Sequence, residues 1–443
     1  MFVINTPDNN LKERRYVIDI IFNEFLDVKY YHEMGSQDYE IILPNGNKLI
    51  FKDHFFNKYS HDLEYLNKEN IPEEIQYVKN DFIINQDIPI IFGTSELRIY
   101  ESESIICGID IFASIFFMLS RWEEYVNLDR DNHNRFPATE SISYNNGFLK
   151  RAVVNEYIEM LWNMLLHLGF KKQRTIPNNQ IFITHDIDRL YMWNNWKHVI
   201  RVAMGDLLKR KNISSAKKRL SGYFLLKRKK INDPYDTFDW LMDISEKNGF
   251  KSRFYLMSGG LTNYDNCYNI NDSRCLTMIK NINQRGHIIG LHSSYNTYND
   301  STQFNNEKSL LESTTGMDII EGRGHYLRFE VPTTWQIWED CGMEVDSTCG
   351  YSDKEGFRCG TGHEYSVFNI LTRQKLKLKE RPLLIMDRTI YYNQNLDDTE
   401  RKEIISSIID NTNMFTMLWH NSEMEHVDLY KYILEYFNRY VSR

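Results

Sequence analysis

The stretch that decides the fold is ITHDIDRL, residues 183–190. It closes an apolar run, Ile181-Phe182-Ile183, and then sets His185, Asp186 and Asp188 within four positions. In an extended strand, side chains two apart share a face, so Asp186 and Asp188 point together and His185 points away. Two carboxylates that close do not both ionise comfortably without a cation or an arginine beside them. A solvated strand end is the plain alternative, and the remainder of the chain decides between the two.

From residue 180 onward, short apolar runs alternate with helical stretches: QIFIT, SRFYLMS, HIIGLHS, DIIEGR, MEVDST, LLIMDR and MFTMLWH. Seven such runs imply parallel strands joined by crossovers, an α/β barrel or a wound sheet. Several end on an ionisable residue. GHIIGLHSSYN (286–296) ends in His292-Ser293, and EGRGHYLRF (321–329) carries Arg323 and Tyr326. VDSTCGYSD (345–353) brings Asp346 and Asp353, LIMDRT brings Asp387, and MLWHNS brings His420. A single histidine at such a place is commonly a packed core residue, and a single Asp or Arg a surface ion pair. Their joint placement at successive strand ends is what points to a site, because barrels of this kind carry their chemistry at the C-terminal strand ends.

The first part of the chain reads differently. Residues 14–27 form an amphipathic helix pattern, YEIILPNGNKLIF (39–51) is two apolar runs around a Pro-Asn-Gly-Asn hairpin signal, and IPIIFG (88–93) is a further strand. Residues 1–110 are thus expected to form a small α/β domain, 111–175 a helical bridging segment, and 176–443 the larger α/β domain. The most apolar stretch, 111–119, is too short to span a bilayer and reads as a core helix. A net charge of −8 over 443 residues argues against wholesale nucleic-acid binding. The N-terminal residues MFVINTPDNNLKERRY interrupt any signal-peptide h-region with charge, and six cysteines without a CxxC pair read as reduced and structural, so a cytoplasmic location is expected.

The ordered motifs resemble the polysaccharide deacetylases with a NodB-homology domain, carbohydrate esterase family four, and more closely a bacterial subgroup with an added N-terminal domain. The phrases DPYDTFDWL (233–241), GFRCGT (356–361) and LWHNS (418–422) carry the closer likeness. The resemblance implies a deformed (β/α)7 barrel behind a smaller α/β N-terminal domain. It implies a metal-dependent deacetylase that removes N-acetyl groups from a poly- or oligosaccharide, possibly lipid-linked, in surface polysaccharide biosynthesis. It makes Asp186 the general base, Asp188 and His292 metal ligands, and His420 the general acid, oriented by Asp387. It gives Arg323 the task of bracing the base and the Tyr326 N–H that of holding the oxyanion, while Asp346 opens a stretch like the fourth motif and stands as a substrate contact. Asn296 falls where the family has a second histidine ligand, Ile187 falls between the two aspartates, and His325 replaces a proline. The cofactor implied is a divalent metal, zinc by default, with His185, His325 and His363 as further donors if the loops fold inward. Trp193, with Tyr191 and Trp196, is placed to stack on sugar rings.

Two readings compete with the enzyme. A catalytically inactive barrel acting as a carbohydrate-binding or assembly protein is favoured by Asn296, and O-deacetylation would use nearly the same residues. One feature stands apart from all of them. Residues 195–230 hold twelve Lys and Arg against one acid, Asp206, with apolar residues interspersed, so amphipathic helices on an anionic membrane surface are expected beside a solvated-insert alternative.

Overall fold

The computed structural model describes all residues except 102, 173, 175–178, 194–195, 209–210, 229–231, 266–267, 393–395 and 442–443. Cys267 and four cations of the basic segment, Lys209, Arg210, Lys229 and Lys230, therefore lie outside the described residues. The chain divides into two compact units. The first comprises Met1–Ile181, Thr297–Ser301 and Ile320–Met417, and the second Phe182–Asn296, Thr302–Ile319 and Leu418–Arg443.

In the first unit, β1 (Phe2–Thr6), β2 (Tyr30–Met34), β3 (Tyr39–Ile42) and β4 (Lys48–Phe51) join β7 (Gly93–Tyr100) and β8 (Ser104–Ile109) in a six-stranded sheet of order β2-β1-β3-β4-β8-β7. β5 (Gln76–Asn80) and β6 (Ile83–Ile90) form a separate antiparallel pair. The expected hairpin is present, with Tyr39 opposite Phe51 and Ile41 opposite Leu49, and the Gly46 N–H reaches back to the Leu43 carbonyl at 2.9 Å. The helix expected over 14–27 begins earlier, at Leu11, and passes at Ile20–Phe25 into a wider π turn.

The apolar stretch at 111–119 is a helix, Ile111–Ser120, with all ten residues buried. Its Phe112 stacks on Tyr39 at 4.1 Å, and Phe116 meets Tyr16 at 6.1 Å and Phe368 at 5.5 Å. A helix covered on every side can afford no polar stripe, which is why its sequence shows none. Asp110 caps it, accepting the Ala113 N–H at 3.0 Å and those of His54 and Phe55 at 3.0 and 3.1 Å.

β9 (Gln180–Ile187), β10 (Ser252–Leu256) and β11 (Ile288–Ser293) build the second unit's sheet, in which β10 lies parallel to both neighbours. The first unit holds β12 (Glu321–Gly324), β13 (Val345–Asp346), β14 (Tyr365–Asn369), β15 (Gln374–Glu380), β16 (Ile385–Met386) and most of β17 (Met414–Leu418). β12 and β13, and β13 and β15, run parallel, whereas β14 and β15 form an antiparallel hairpin. The chain is thus of mixed α/β class. The runs at 318–323, 343–348 and 383–388 yield strands of only four, two and two residues. The hairpin strand β15, QKLKLKE, was outside the seven runs because it alternates, with Leu376, Leu378 and Glu380 inward and lysines outward.

The GFRCGT phrase is structural. Gly356 and Gly360 both adopt positive φ, and a Cβ at Gly356 would stand 2.5 Å from the Leu149 carbonyl oxygen. Between them Arg358 is fully buried and grips Glu124 through Nε at 2.9 Å and Nη2 at 2.5 Å. Arg121 holds Glu124 from the other side at 2.9 Å and Glu123 at 3.4 Å. Burial alone would raise the Glu124 carboxyl, but Arg358 and Arg121 outweigh it and bring it down to about 2. At Glu123 burial wins over Arg121 and the Ile142 N–H, and the carboxyl is pushed up to about 7. An acid raised in the folded state binds its proton more tightly there than in the unfolded chain, so its stabilisation is full below the ordinary carboxylate range and is lost as pH rises toward 7. Stability is therefore expected to fall by roughly 2–3 kcal/mol between pH 5 and pH 8 from this residue. Urea melts across that range should show the fall, and Glu123→Gln should flatten it.

Candidate functional site at the ends of β9 and β11

The second unit gathers four of the residues singled out in the sequence. Asp186 lies in the last turn of pleat of β9, Asp188 one residue past its end, His292 in β11, and His420 two residues past β17. His292 Nε2 stands 3.3 Å from Asp188 Oδ1 and 3.8 Å from Asp186 Oδ2, while His420 Nε2 stands 3.8 Å from Asp188 Oδ2. Asp186, His292 and His420 are buried, and Asp188 keeps 24% of its side chain exposed. The two carboxylates do share a face, as the two-residue repeat of a strand requires. Ile187, between them, is fully buried on the other side.

His185 also behaves as the repeat demands. It turns away from the carboxylates, and its Nδ1–H donates to the Trp419 carbonyl at 2.7 Å while Nε2 faces Ser252 Oγ at 3.3 Å. The Trp419 N–H in turn donates to the Thr184 carbonyl at 2.9 Å. Both polar groups of the Trp419 peptide region are thus fixed by β9, and His420 follows immediately. The residue after it completes the arrangement. Asn421, 1% exposed, donates both amide hydrogens of Nδ2, to the Arg189 and Tyr235 carbonyls at 2.9 Å each, and its own carbonyl accepts the Thr237 hydroxyl at 2.9 Å.

The DPYDTFDWL phrase supplies the other anchors. Asp233 accepts the N–H groups of Met192 at 2.8 Å, Trp193 at 3.0 Å and Tyr235 at 3.0 Å, and so pins the chain leaving Asp188. The Tyr268 hydroxyl donates to the Ile187 carbonyl at 2.9 Å and accepts the Met257 N–H at 2.8 Å, tying the end of β9 to the end of β10. Beyond His292, buried Glu307 accepts the Ser294 N–H at 2.9 Å and its hydroxyl at 2.5 Å. Asn421, Asp233 and Glu307 were not singled out from the sequence. The signal was there for the first two, since both lie inside the recurring phrases.

The other expected site residues have the following surroundings. Asn296 is exposed at the turn that follows β11. Trp193 is 7% exposed and packs on Gly222, where a Cβ would come within 2.5 Å of the indole ring. Tyr191 stacks under the Arg274 guanidinium at 4.4 Å, and Trp196 is 56% exposed. In the first unit, Arg323 is fully buried and donates to the Ser347 carbonyl at 2.7 Å and hydroxyl at 3.0 Å. Asp346, also fully buried, accepts from the Thr348 N–H at 2.9 Å and from its hydroxyl, and burial pushes its carboxyl up to about 7. Tyr326 has positive φ and offers its carbonyl to Arg135 Nη1 at 2.9 Å. His325 is buried with its ring 4.7 Å from that of Tyr326. Asp387 is buried at the start of a short helix and accepts the Arg388 N–H at 2.6 Å, and Asp353 accepts the Ala138 N–H at 3.1 Å. His363 stacks on Phe25 at 5.3 Å, and burial holds its imidazole down to about 4.

The spacing of Asp188 and His292 fits two ligands of one divalent metal. Two ligands bound at about 2.0–2.1 Å on adjacent corners of a tetrahedron stand about 3.3 Å apart. The Asp188 oxygen and His292 nitrogen are 3.3 Å apart, wider than the about 2.7–2.9 Å of a charge-assisted hydrogen bond.

Comparison with known proteins gives three findings. The family described as "Family of unknown function (DUF7033)" matches residues 2–170. No curated protein matches the chain. Among solved structures, a protein described as a polysaccharide deacetylase from Mycobacterium smegmatis aligns at 12% identity and TM-score 0.39 over 61% of this chain and 88% of its own. The polysaccharide deacetylase of Bacillus cereus aligns at 12% identity and TM-score 0.29 over 46% and 82%. The catalytic domain of a peptidoglycan N-acetylglucosamine deacetylase from Eubacterium rectale aligns at 11% and TM-score 0.31 over 61% and 90%. At these scores the functional reading rests on the side chains.

Asn421→Asp keeps the shape but replaces the two-donor amide with an acceptor facing two carbonyls. It is expected to cost about 2–4 kcal/mol, read as a lowered urea midpoint against the wild type.

Proposed function

We propose that the chain is a metal-dependent deacetylase acting on an N-acetylated poly- or oligosaccharide. The observation that carries the reading is the single cluster of Asp186, Asp188, His292 and His420, with His292 within 3.8 Å of both carboxylates. Asp188 and His292 would be protein ligands of a metal, which when bound would lower the pKa of a water and polarise an amide carbonyl. Asp186, whose carboxylate is buried beside the pair, is the base that takes the water's proton. His420, whose Nε2 stands 3.8 Å from Asp188, delivers a proton to the departing amine. Zinc is the metal expected for such oxygen and nitrogen donors. The deformed seven-stranded barrel, the Asn296 ligand, the parts assigned to Arg323, Tyr326 and Asp387, and the sugar contacts of Trp193 and Asp346 belong to the same proposal.

The exposure of Asn296 favours a second reading, a barrel that binds carbohydrate without turning it over. The two are separated by metal analysis of the purified chain beside four variants. Asp188→Asn and His292→Ala should lose bound zinc and acetate release together. Asp186→Asn and His420→Ala should retain the metal and lower acetate release from N-acetylated oligosaccharides about 10²–10⁴-fold. A chain that takes up no metal after reconstitution and releases no acetate, yet retains glycan binding, would establish the binding reading instead.

A further inference from the structure

The segment 195–230, described at all residues but 195, 209–210 and 229–230, supplies none of the four cluster residues. It folds as two helices of the second unit, Trp196–Leu208 and Ile213–Lys227. The second is capped by Asn212, whose side chain accepts the Ser215 N–H at 2.9 Å. Asp206, 1% exposed, bridges the pair through Arg219 Nε at 2.6 Å. Gly222 lets the second helix settle on the Trp193 ring. The one acid of the segment is thereby consumed inside the hairpin, so its described outer surface carries cations, apolar side chains and the neutral Asn212, Ser214 and Ser221, and no acid.

The apolar part is concentrated. Nine of the 24 exposed large apolar side chains among the described residues fall between Trp196 and Leu225. Trp196, Ile200, Met204 and Leu208 follow one another at four-residue intervals, at 56, 42, 51 and 72% exposure, while Val199, Ala203 and Asp206 occupy the buried face. On the second helix Ile213, Leu220 and Phe224 are exposed at 73, 37 and 62%. Arg201, Lys211, Lys217, Lys218, Lys227 and Arg228 are exposed around these stripes. Water-facing stripes of this size on a helix require a partner, and cations bordering them in a chain of net charge −8 select an anionic one. No helix among the described residues is long and apolar enough to cross a membrane, so contact from the surface is the mode left to this hairpin.

We propose that the hairpin 196–228 docks the protein on an anionic lipid surface, its apolar stripes entering the headgroup boundary and its lysines and arginines facing lipid phosphates. Each cation near such a surface contributes on the order of 1 kcal/mol, and each large apolar side chain a comparable amount or more. The proposal is independent of the deacetylase reading, because its test reads no activity.

The test is flotation of the full-length chain with phosphatidylcholine vesicles, with and without phosphatidylglycerol, at about 0.15 M salt. Wild type should float only with the anionic vesicles. Lys217→Gln with Lys218→Gln should lower partitioning about 10- to 30-fold, and Phe224→Ser at least about tenfold. All three positions are exposed, so far-UV circular dichroism of the variants should match wild type. Protein left at the bottom of the gradient with both vesicles, or equal flotation with both, overturns the proposal. So does lipid-independent dimerisation abolished by Phe224→Ser, which would assign the stripe to a second copy of the chain.

Discussion

The arrangement of the second unit depends on how the chain around His420 is tied to β9. Trp419 is held on both sides, by the Thr184 carbonyl and by the His185 ring, and Asn421 spends both amide hydrogens on carbonyls of two other loops. His420 sits between these two fixed residues. Its distance to Asp188 is therefore set by backbone hydrogen bonds and not by the pairing of the two side chains. Buried polar networks of this kind specify one geometry because every member has a partner and any shift leaves one without. The same logic runs through Asp233 and Tyr268, which hold the exit from β9 against its neighbours.

The first unit is organised by different means. A helix with no exposed residue fills the space between the N-terminal sheet and β14, and aromatic rings from both meet it. At its end the chain turns into Arg121, Glu123 and Glu124, which meet Arg358 in a buried ionic network. Such charges cost desolvation and are retained only when their geometry is closely satisfied. Here the network fixes where the loop carrying Gly356 to Thr361 runs, and the two glycines let it run there.

Much of this was legible because it follows from the two-residue repeat of a strand. The shared face of Asp186 and Asp188, and the opposite orientation of His185, needed no tertiary information. The parallel strands β9, β10 and β11 announced themselves as continuous apolar runs, since a strand buried on both faces has no polar side to show. β15 escaped notice for the opposite reason: its solvent face is lysine, so its leucines never form a run. Asn421 and Asp233 were marked only by their place in LWHNS and DPYDTFDWL, because what they do is hold backbone carbonyls and N–H groups, which leave no pattern of their own in sequence. Trp193 stands as a proposed sugar contact from its position after the carboxylates. Its packing on Gly222, 29 residues on, is a contact that no local pattern reveals.

The alternation along β9 carries a consequence for how this protein can change over time. One face of the strand and its exit holds the carboxylates of Asp186 and Asp188, and the other holds the imidazole that steadies the chain after β17. A substitution at either face alters one side chain. A single inserted or deleted residue exchanges the faces, turning His185 toward His292 and Asp186 into the packing. Variation in β9 is thus open to replacement and closed to changes of length, so that among descendants of this chain the spacing from Ile181 to Asp188 should be more durable than the identity of most residues within it.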